Sequence, residues 1–393
     1  MAAASIRPSA WNWHLITGEY PPQPGGVADY TQQLARALAD AGERVHVWAP
    51  GNMAIHIDDA VTVHGLPDFG PRGLRLLSTG LAALPGRRRL LVQYVATAFG
   101  FRGMNLPFAL WLASRQVEEL WIQFHEVAYD FSWSQGPQRN LLAAVEWWMA
   151  QLAADRAQRL LISVPGWRRQ LGRHGSRAEV LPLPSNLPVN VRSEEIDRAK
   201  GRLGSSPLIG HFGTYGKLVT DLLEPTIVSI LRAVRDVRAV LLGRGGPKFA
   251  SSLASNYPDL AAQLIAPGAL DAATISSLLA ACDVLVQPYP DGISGRRTSA
   301  MAGLALGKPM VTTIGHLTED DWARSNSVVL APVECAADLT REVIRLLSSE
   351  SEREALSERA RSWYRSRFSM EHTMDVLGIR DASGKVDPCR SAP

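Results

Sequence analysis

The chain has 393 residues, more than a single hydrophobic core of roughly 250–300 residues accommodates, so two domains are expected. Hydrophobic residues make up 46% and charged residues 20%, an ordinary balance that excludes a globally disordered chain. With 41 basic against 38 acidic residues the formal charge is only +3, which argues against a nucleic-acid binder.

Residues 1–8 lack the basic and apolar regions of a secretory leader, and no run of about 18 apolar residues that could span a bilayer occurs. Cys282, Cys335 and Cys389 are far apart and odd in number, so neither a disulfide framework nor a metal site is expected. A reducing cytosol is the simplest compartment.

In chain order, residues 13–17 predict a short strand ending in the loop Glu19-Tyr-Pro-Pro-Gln-Pro-Gly-Gly-Val27. Tyr30, Leu34, Leu38 and Ala41 then recur at helical spacing, and Gly42 suits the left-handed residue just past a helix. Gly25 and Gly26 would let backbone approach a ligand, with the helix start offering N–H groups to an anion. A plain strand-to-helix turn would use the same glycines. Further strands are expected over 44–48, 61–64, 90–95, 120–124, 159–164 and 180–183, with helices over 105–116 and 140–155. The strand over 120–124 delivers Gln123-Phe-His-Glu126 to its C-terminal end, the edge where open parallel sheets collect ligands. His125 there could orient a ligand hydroxyl or handle a proton, or be a structural histidine satisfied by the loop.

Three prolines within 181–188 mark a linker. A second series follows, with strands over 208–212, 239–242, 283–287, 309–313 and 328–330 and helices near 221–234, 272–281, 298–306 and 337–347. A charged helix over 350–367 and an amphipathic stretch over 370–377 close the fold, ahead of a frayed polar end. Strands alternating with helices predict two α/β domains with mostly parallel sheets, facing each other.

Three segments of the second series could carry chemistry. Gly210-His-Phe-Gly-Thr-Tyr-Gly-Lys217 is a strand and a glycine-rich turn whose N–H groups and single lysine would suit a diphosphate; a surface loop with a solvated lysine fits as well. Leu242-Gly-Arg-Gly-Gly-Pro247 is a tight turn, with Arg244 either on a ligand or in solvent. The longest runs from Cys282 to Thr313: a buried strand, a Pro/Gly loop with Asp291, Gly292, Ser294 and Gly295, a helix, a Gly-Lys-Pro turn and a strand. Arg296 and Arg297 sit at the helix start, where positive charge opposes the macrodipole unless an anion binds there or both point to solvent.

In this last segment the succession strand–Pro–loop–Gly–helix–Gly-x-Pro–Val resembles the donor-binding region of glycosyltransferase family 4, retaining enzymes of the two-Rossmann GT-B fold. The other motifs follow in that family's order. Gly25-Gly26-Val27 is similar to its N-terminal glycine loop, and His125 falls where the family has a histidine after an N-domain strand. Phe212-Gly213 with Lys217 resembles its second-domain opening, and residues 243–247 its next glycine turn. The resemblance spans about 13–377.

It implies an acceptor domain over 1–186, a donor domain over 187–367 and a C-terminal helix over 368–380 packing back on the first domain, with the catalytic cleft between the two. It implies transfer of a sugar from a nucleoside-diphosphate sugar to an acceptor hydroxyl (on a glycan, a lipid-linked compound or a small molecule) with retained anomeric configuration. His125 and Asp291 would be catalytic. Gly25, Gly26, Gly213, Thr214, Lys217, Gly243, Arg244, Asp291, Gly292, Ser294, Gly295, Arg296 and Ser299 would bind the donor. No Asp-x-Asp loop suggests an obligatory metal, and no other cofactor is implied. Two departures stand out. The family's two glutamates across the donor loop are here Asp291 and Ser299, and the arginine it places just after the second-domain opening glycine is Thr214. Arg296 or Arg297 would then have to compensate from across the loop.

Two rival readings share the fold: a nucleotide-sugar 2-epimerase, which needs no acceptor, and a degenerate partner subunit without activity. Trp111, Trp121, Trp133, Trp147 and Trp148 could line an acceptor site or touch the inner face of a membrane beside Arg87-Arg-Arg89. Core packing with a solvated arginine cluster is the plainer alternative.

Overall fold

The computed structural model describes residues 11–379. The expectations for residues 1–8, for Cys389, for residue 380 and for the polar end lie outside the described residues. The chain divides into two compact units, one ending at Pro182 and taking the chain up again at Thr373, the other running from Leu183 to His372.

The first unit is built on β1 (Trp11–Thr17), β2 (Arg44–Pro50), β3 (Ile55–Asp58), β4 (Val61–Leu66), β5 (Arg87–Tyr94), β6 (Glu119–Phe124), β7 (Arg159–Ile162) and β8 (Ala178–Val180). Their order is β3-β4-β2-β1-β5-β6-β7-β8. Every pairing is parallel except β3 with β4. Its helices are α1 (Gly26–Asp40), α2 (Pro71–Ala83), α3 (Leu106–Ala113), α4 (Pro137–Arg156) and the single turn α5 (Trp167–Gln170). Strands β1 and β6 are buried along nearly their whole length, and β5 from Leu90 onward, because helices cover both faces. β8 stops at Val180 instead of running to 183, since Pro182 cannot donate to a ladder.

Neither β3 nor α2 was expected. Ile55 and Ile57 of β3 are exposed, so this edge strand lacks an apolar run with a buried face. In α2 the apolar face is present, with Leu74, Leu77 and Leu81 buried after Pro71 in the first turn. The Arg87–Arg89 cluster opens β5, and each guanidinium group has an intramolecular partner. Arg87 lies 3.8 Å over the Trp11 ring, Arg88 donates to Leu81 O, and Arg89 pairs with Glu119 at 2.9 Å. Of the tryptophans, Trp111 and Trp121 are buried, whereas Trp133, Trp147 and Trp148 are exposed.

The second unit holds β9 (Leu208–Phe212), β10 (Arg238–Leu242), β11 (Leu264–Ile265), β12 (Val284–Gln287), β13 (Met310–Ile314) and β14 (Val329–Pro332). They form an all-parallel sheet in the order β11-β10-β9-β12-β13-β14. It carries α6 (Ser193–Leu203), α7 (Lys217–Ala233), α8 (Gly246–Asn256), α9 (Ala272–Ala281), α10 (Thr298–Ala305), α11 (Asp320–Ser325), α12 (Ala336–Ser348) and α13 (Glu350–Arg367). Two apolar clusters result: one joins Leu285 with Leu279, Met301 and Tyr364, the other joins Val284 and Val286 with Ile227, Leu231 and Val343. The last helix, α14 (Met370–Leu377), crosses the division between the units, and within the first unit Arg159 donates to Val376 O at 2.9 Å.

Candidate active site

In the second unit β9 is flanked by β10 on one side and β12 on the other, so the topological switch point lies at the C-terminal ends of β9 and β12. The loops leaving these ends are tied together. Gln287 Nε2 donates to Phe212 O at 2.9 Å. A Cβ on Gly243 would lie 2.4 Å from Gly213 O, and the residue has φ +115°, so only glycine fits between the turns after β9 and β10. A Cβ on Gly213 would stand 3.6 Å from Ser299 Oγ. Gly213, Gly243 and Ser299, distant in sequence, therefore meet at the sheet end.

Ser299 Oγ is 2.9 Å from the Tyr289 hydroxyl. Burial pushes the Tyr289 phenol up to about 12, so the pair is neutral. The loop between β12 and α10 is held from below. Gly292 adopts φ +85° and is packed against Gly315 N and Thr318 Oγ1, with no room for a Cβ. Gly295 N donates to Glu319 Oε1 at 2.9 Å, while Trp322 Nε1 donates to Glu319 Oε2 at 2.7 Å. Burial raises the Glu319 carboxyl, against the pull of these N–H donors. Ser294 is fully buried, and its Oγ has no hydrogen-bond partner among the described residues.

The arginines at the start of α10 do not both point to solvent. Both Arg296 and Arg297 donate to the Asp291 carboxylate, and Arg297 also lies 4.7 Å over the Tyr289 ring. The anion that offsets their charge is Asp291, not solvent. Burial alone would raise the Asp291 carboxyl, but the charges and hydrogen bonds of Arg297 and Arg296 outweigh it and hold the group below the usual carboxylate range. Two cations share the Asp291 carboxylate, and the Glu319 carboxylate is held on the backbone of the same loop.

Thr214 and Arg244 are exposed beside this cluster in sequence. Lys217 is not in a loop: α7 begins at that residue, four earlier than expected, and its ammonium pairs with Asp221 at 2.9 Å in solvent.

In the first unit the helix start after Gly25 and Gly26 is already capped. Glu19 Oε1 accepts from Val27 N and Ala28 N, both at 3.1 Å, so those N–H groups are not open to an anion as expected. Gly25 is required by this cap, because a Cβ there would lie 2.2 Å from Glu19 Oε1; Gly26 is exposed and has nothing within 4 Å of where a Cβ would sit.

His125 is buried at the end of β6. Its Nε2 is 2.7 Å from Gln93 Oε1 at the end of the neighbouring β5. Its ring meets Tyr30 of α1 edge-on at 5.5 Å, and Tyr30 donates to Gln123 Oε1 at 3.0 Å. Burial lowers the His125 pKa to about 3, so the ring is neutral. With Gln93 Oε1 accepting from Nε2–H, Nδ1 is an acceptor and has no partner among the described residues.

Sequence reasoning gave no role to Glu19, Gln93, Gln123, Tyr289, Glu319 or Glu146, although Glu19, Gln123 and Tyr289 lie within the motifs it singled out. Gln93 and Gln123 carried a signal, each being a polar residue near the end of an otherwise apolar strand. Glu146 carried none: it is buried within a helix whose neighbouring tryptophans are exposed.

Two family models match the chain, a glycosyl transferase 4-like domain over residues 25–185 and glycosyl transferases group 1 over residues 206–349. Among solved structures, sucrose-phosphate synthase from Thermosynechococcus elongatus superposes with a TM-score of 0.73 at 16% identity, over 93% of this chain and 97% of that one. HepE from Anabaena, solved in complex with UDP and glucose, gives 0.65 at 15% identity, over 93% and 99%. WaaG, a glycosyltransferase involved in lipopolysaccharide biosynthesis, gives 0.66 at 15% identity, also over 93% and 99%. No curated protein matches the sequence. The fold is that of the GT-B glycosyltransferases. With its two halves matched in turn by a glycosyl transferase 4-like and a group 1 model, the chain belongs to the glycosyltransferases of that fold and is a glycosyl-transferring enzyme.

Proposed function

We propose that this enzyme moves a sugar from a nucleoside-diphosphate sugar to an acceptor hydroxyl with retention of anomeric configuration. The observation that carries this is the meeting of Gly213, Gly243 and Ser299 at the switch point of the second sheet, beside the guanidinium pair at the start of α10. The bond between the anomeric carbon and the diphosphate breaks, a bond from that carbon to the acceptor oxygen forms, and the acceptor proton passes to the released diphosphate. Charge building on the diphosphate is met by the backbone N–H groups of the loop and by Arg296 and Arg297 at the start of α10, fixed donors that need no reorganisation. The Tyr289–Ser299 hydroxyl pair and Ser294 Oγ supply neutral contacts to the nucleoside. In the first unit, neutral His125 accepts a hydrogen bond from a hydroxyl of the transferred sugar through Nδ1. The UDP and glucose bound in HepE favour a uridine donor.

A thermal-shift panel of the purified chain with uridine, guanosine, adenosine, cytidine and thymidine diphosphates tests this. A ligand at 100 times its dissociation constant adds about 2.7 kcal/mol to the native state. One nucleotide, expected to be UDP, should raise the melting temperature clearly. No shift with any of the five sinks the reading.

A further inference from the structure

A cavity of about 590 Å³ lies in the first unit between the loop after β6 and the outer face of α4. Tyr129 and Phe131 of the loop and Trp147 and Trp148 of the helix wall it, and all four are 42–62% exposed. A helix normally turns its charges outward and its rings inward. Here Glu146 is 1% exposed while its two tryptophan neighbours face out. The inversion also organises the walls. Tyr129 N donates to Glu146 Oε2 at 3.0 Å, anchoring the loop, and Trp147 Nε1 donates to Gln170 O at 2.9 Å, fixing the indole. The aromatic walls are thus held open by hydrogen bonds to groups behind them.

One corner is polar and lacks donors. Gln170 Nε2 is used on Asp130 Oδ1 at 2.8 Å, and Gln170 Oε1 is buried without a partner among the described residues. Exposed Asp130 therefore offers a carboxylate acceptor to an occupant that brings a hydroxyl. A cavity of this size suits a small ligand, whose apolar walls supply affinity and whose few polar groups fix orientation. A free sugar can stack a C–H face on a ring, but most of its hydroxyls would find few partners among these lining side chains. The loop also leaves directly from His125, with Tyr129 four residues on, at most ~14 Å along an extended chain.

We propose that this cavity is the acceptor pocket and that the acceptor is an alcohol carrying an aromatic ring or a short alkyl chain. The assignment as acceptor site rests on the glycosyl-transfer reading; the binding chemistry does not. Calorimetric titration of the full chain with 4-methyl-, 4-propyl- and 4-pentylphenol should show affinity rising about fourfold per added methylene until the cavity is full. Trp148→Ala, at an exposed position, and Ala144→Trp, which fills the cavity, should each weaken binding at least tenfold and leave the nucleotide-induced thermal shift intact. Absence of phenol binding, binding indifferent to both substitutions, or tighter binding of methyl glucoside overturns the proposal. So does a Trp148-dependent association with anionic lipid vesicles in the absence of phenol binding, which makes the face a membrane contact. Phenol binding with no shift by any nucleoside diphosphate overturns the acceptor role alone and locates the fault in the transfer reading.

Discussion

The two sheet ends that carry the candidate residues are built from opposite electrostatics. The groups that hold His125 and its ring neighbour are neutral: Gln93 bonds His125, and Gln123 accepts from Tyr30, without a formal charge. The same unit carries a row of neutral histidines across β1, β2 and β4. His14 stacks on His46 at 5.0 Å, His46 is 3.1 Å from His64, and Trp48 donates to His14 and stacks on His64. Around Asp291 the loop is fastened by two guanidinium groups on one carboxylate, with buried Glu319 accepting from its backbone. A site sealed from water can be held by neutral hydrogen bonds, since ions there would pay for desolvation. A loop meant to meet an anion at a helix start stays partly wet and can keep its charges.

The contrast is open to attack at three places. The largest effect is expected from acid. Burial, aided by neighbouring charges, lowers the His14 pKa to about 3 and the His64 pKa to about 4; burial lowers His125 to about 3 and His46 in the same direction. The second unit has His211 at about 4. The unfolded chain takes up protons below about pH 6.5 and the folded chain does not, so stability is complete above that pH and is lost as pH falls toward 4. Each fully buried neutral histidine costs about 2 kcal/mol by pH 5. Calorimetry between pH 7 and 5 should therefore show the first unit unfolding ahead of the second. A single transition that moves as one, or the second unit melting first, breaks the comparison.

The next effect is Asp291→Asn. It strands two partly buried guanidinium groups, which at these intermediate exposures costs about 2 kcal/mol, less than for a fully buried pair. The second unit's melting temperature should drop by about 4–8 °C at neutral pH, and the first unit's should not move. An unchanged melting curve would show that the pairing contributes nothing to the loop. The smallest effect is Lys217→Ala. Its pair with Asp221 is solvated, so stability should change by less than about 0.5 kcal/mol. A large fall in melting temperature would mean that Lys217 does more than its ion pair with Asp221 accounts for. A nucleotide-induced shift that vanishes in this variant would instead give Lys217 the donor-binding role suggested by its motif.

Much of the α/β alternation could be read directly. β9, α9, α13 and α14 fall where apolar periodicity put them, because each couples a buried face to a clear boundary. Several unread elements had weaker signals, α2 being the exception: β3 is an exposed edge, α5 is a single turn, and α8 opens inside a Gly-Gly-Pro run that looked like a turn alone. Lys217 was put in a loop because the glycines before it end in Gly216, yet Gly216 serves as the N-cap of α7. The glycine motifs pointed to backbone turns but not to the side chains that fasten them. Glu19, Glu146 and Glu319 each act by accepting backbone N–H groups that only folding brings near, and the last two have no motif around them.

The order of strands and helices, the glycine turns and the family likeness were thus set by local patterning, since backbone sterics and the alternation of apolar residues act over a few positions at a time. Partnership was not. That Asp291 would be claimed by Arg296 and Arg297, that Gln93 would hold His125, and that two tryptophans would face outward over a buried Glu146 depended on which strands became neighbours and which helix face met them. Those contacts join residues tens of positions apart, or choose among rotamers within a loop, and the free energy that selects them exists only once the chain is packed.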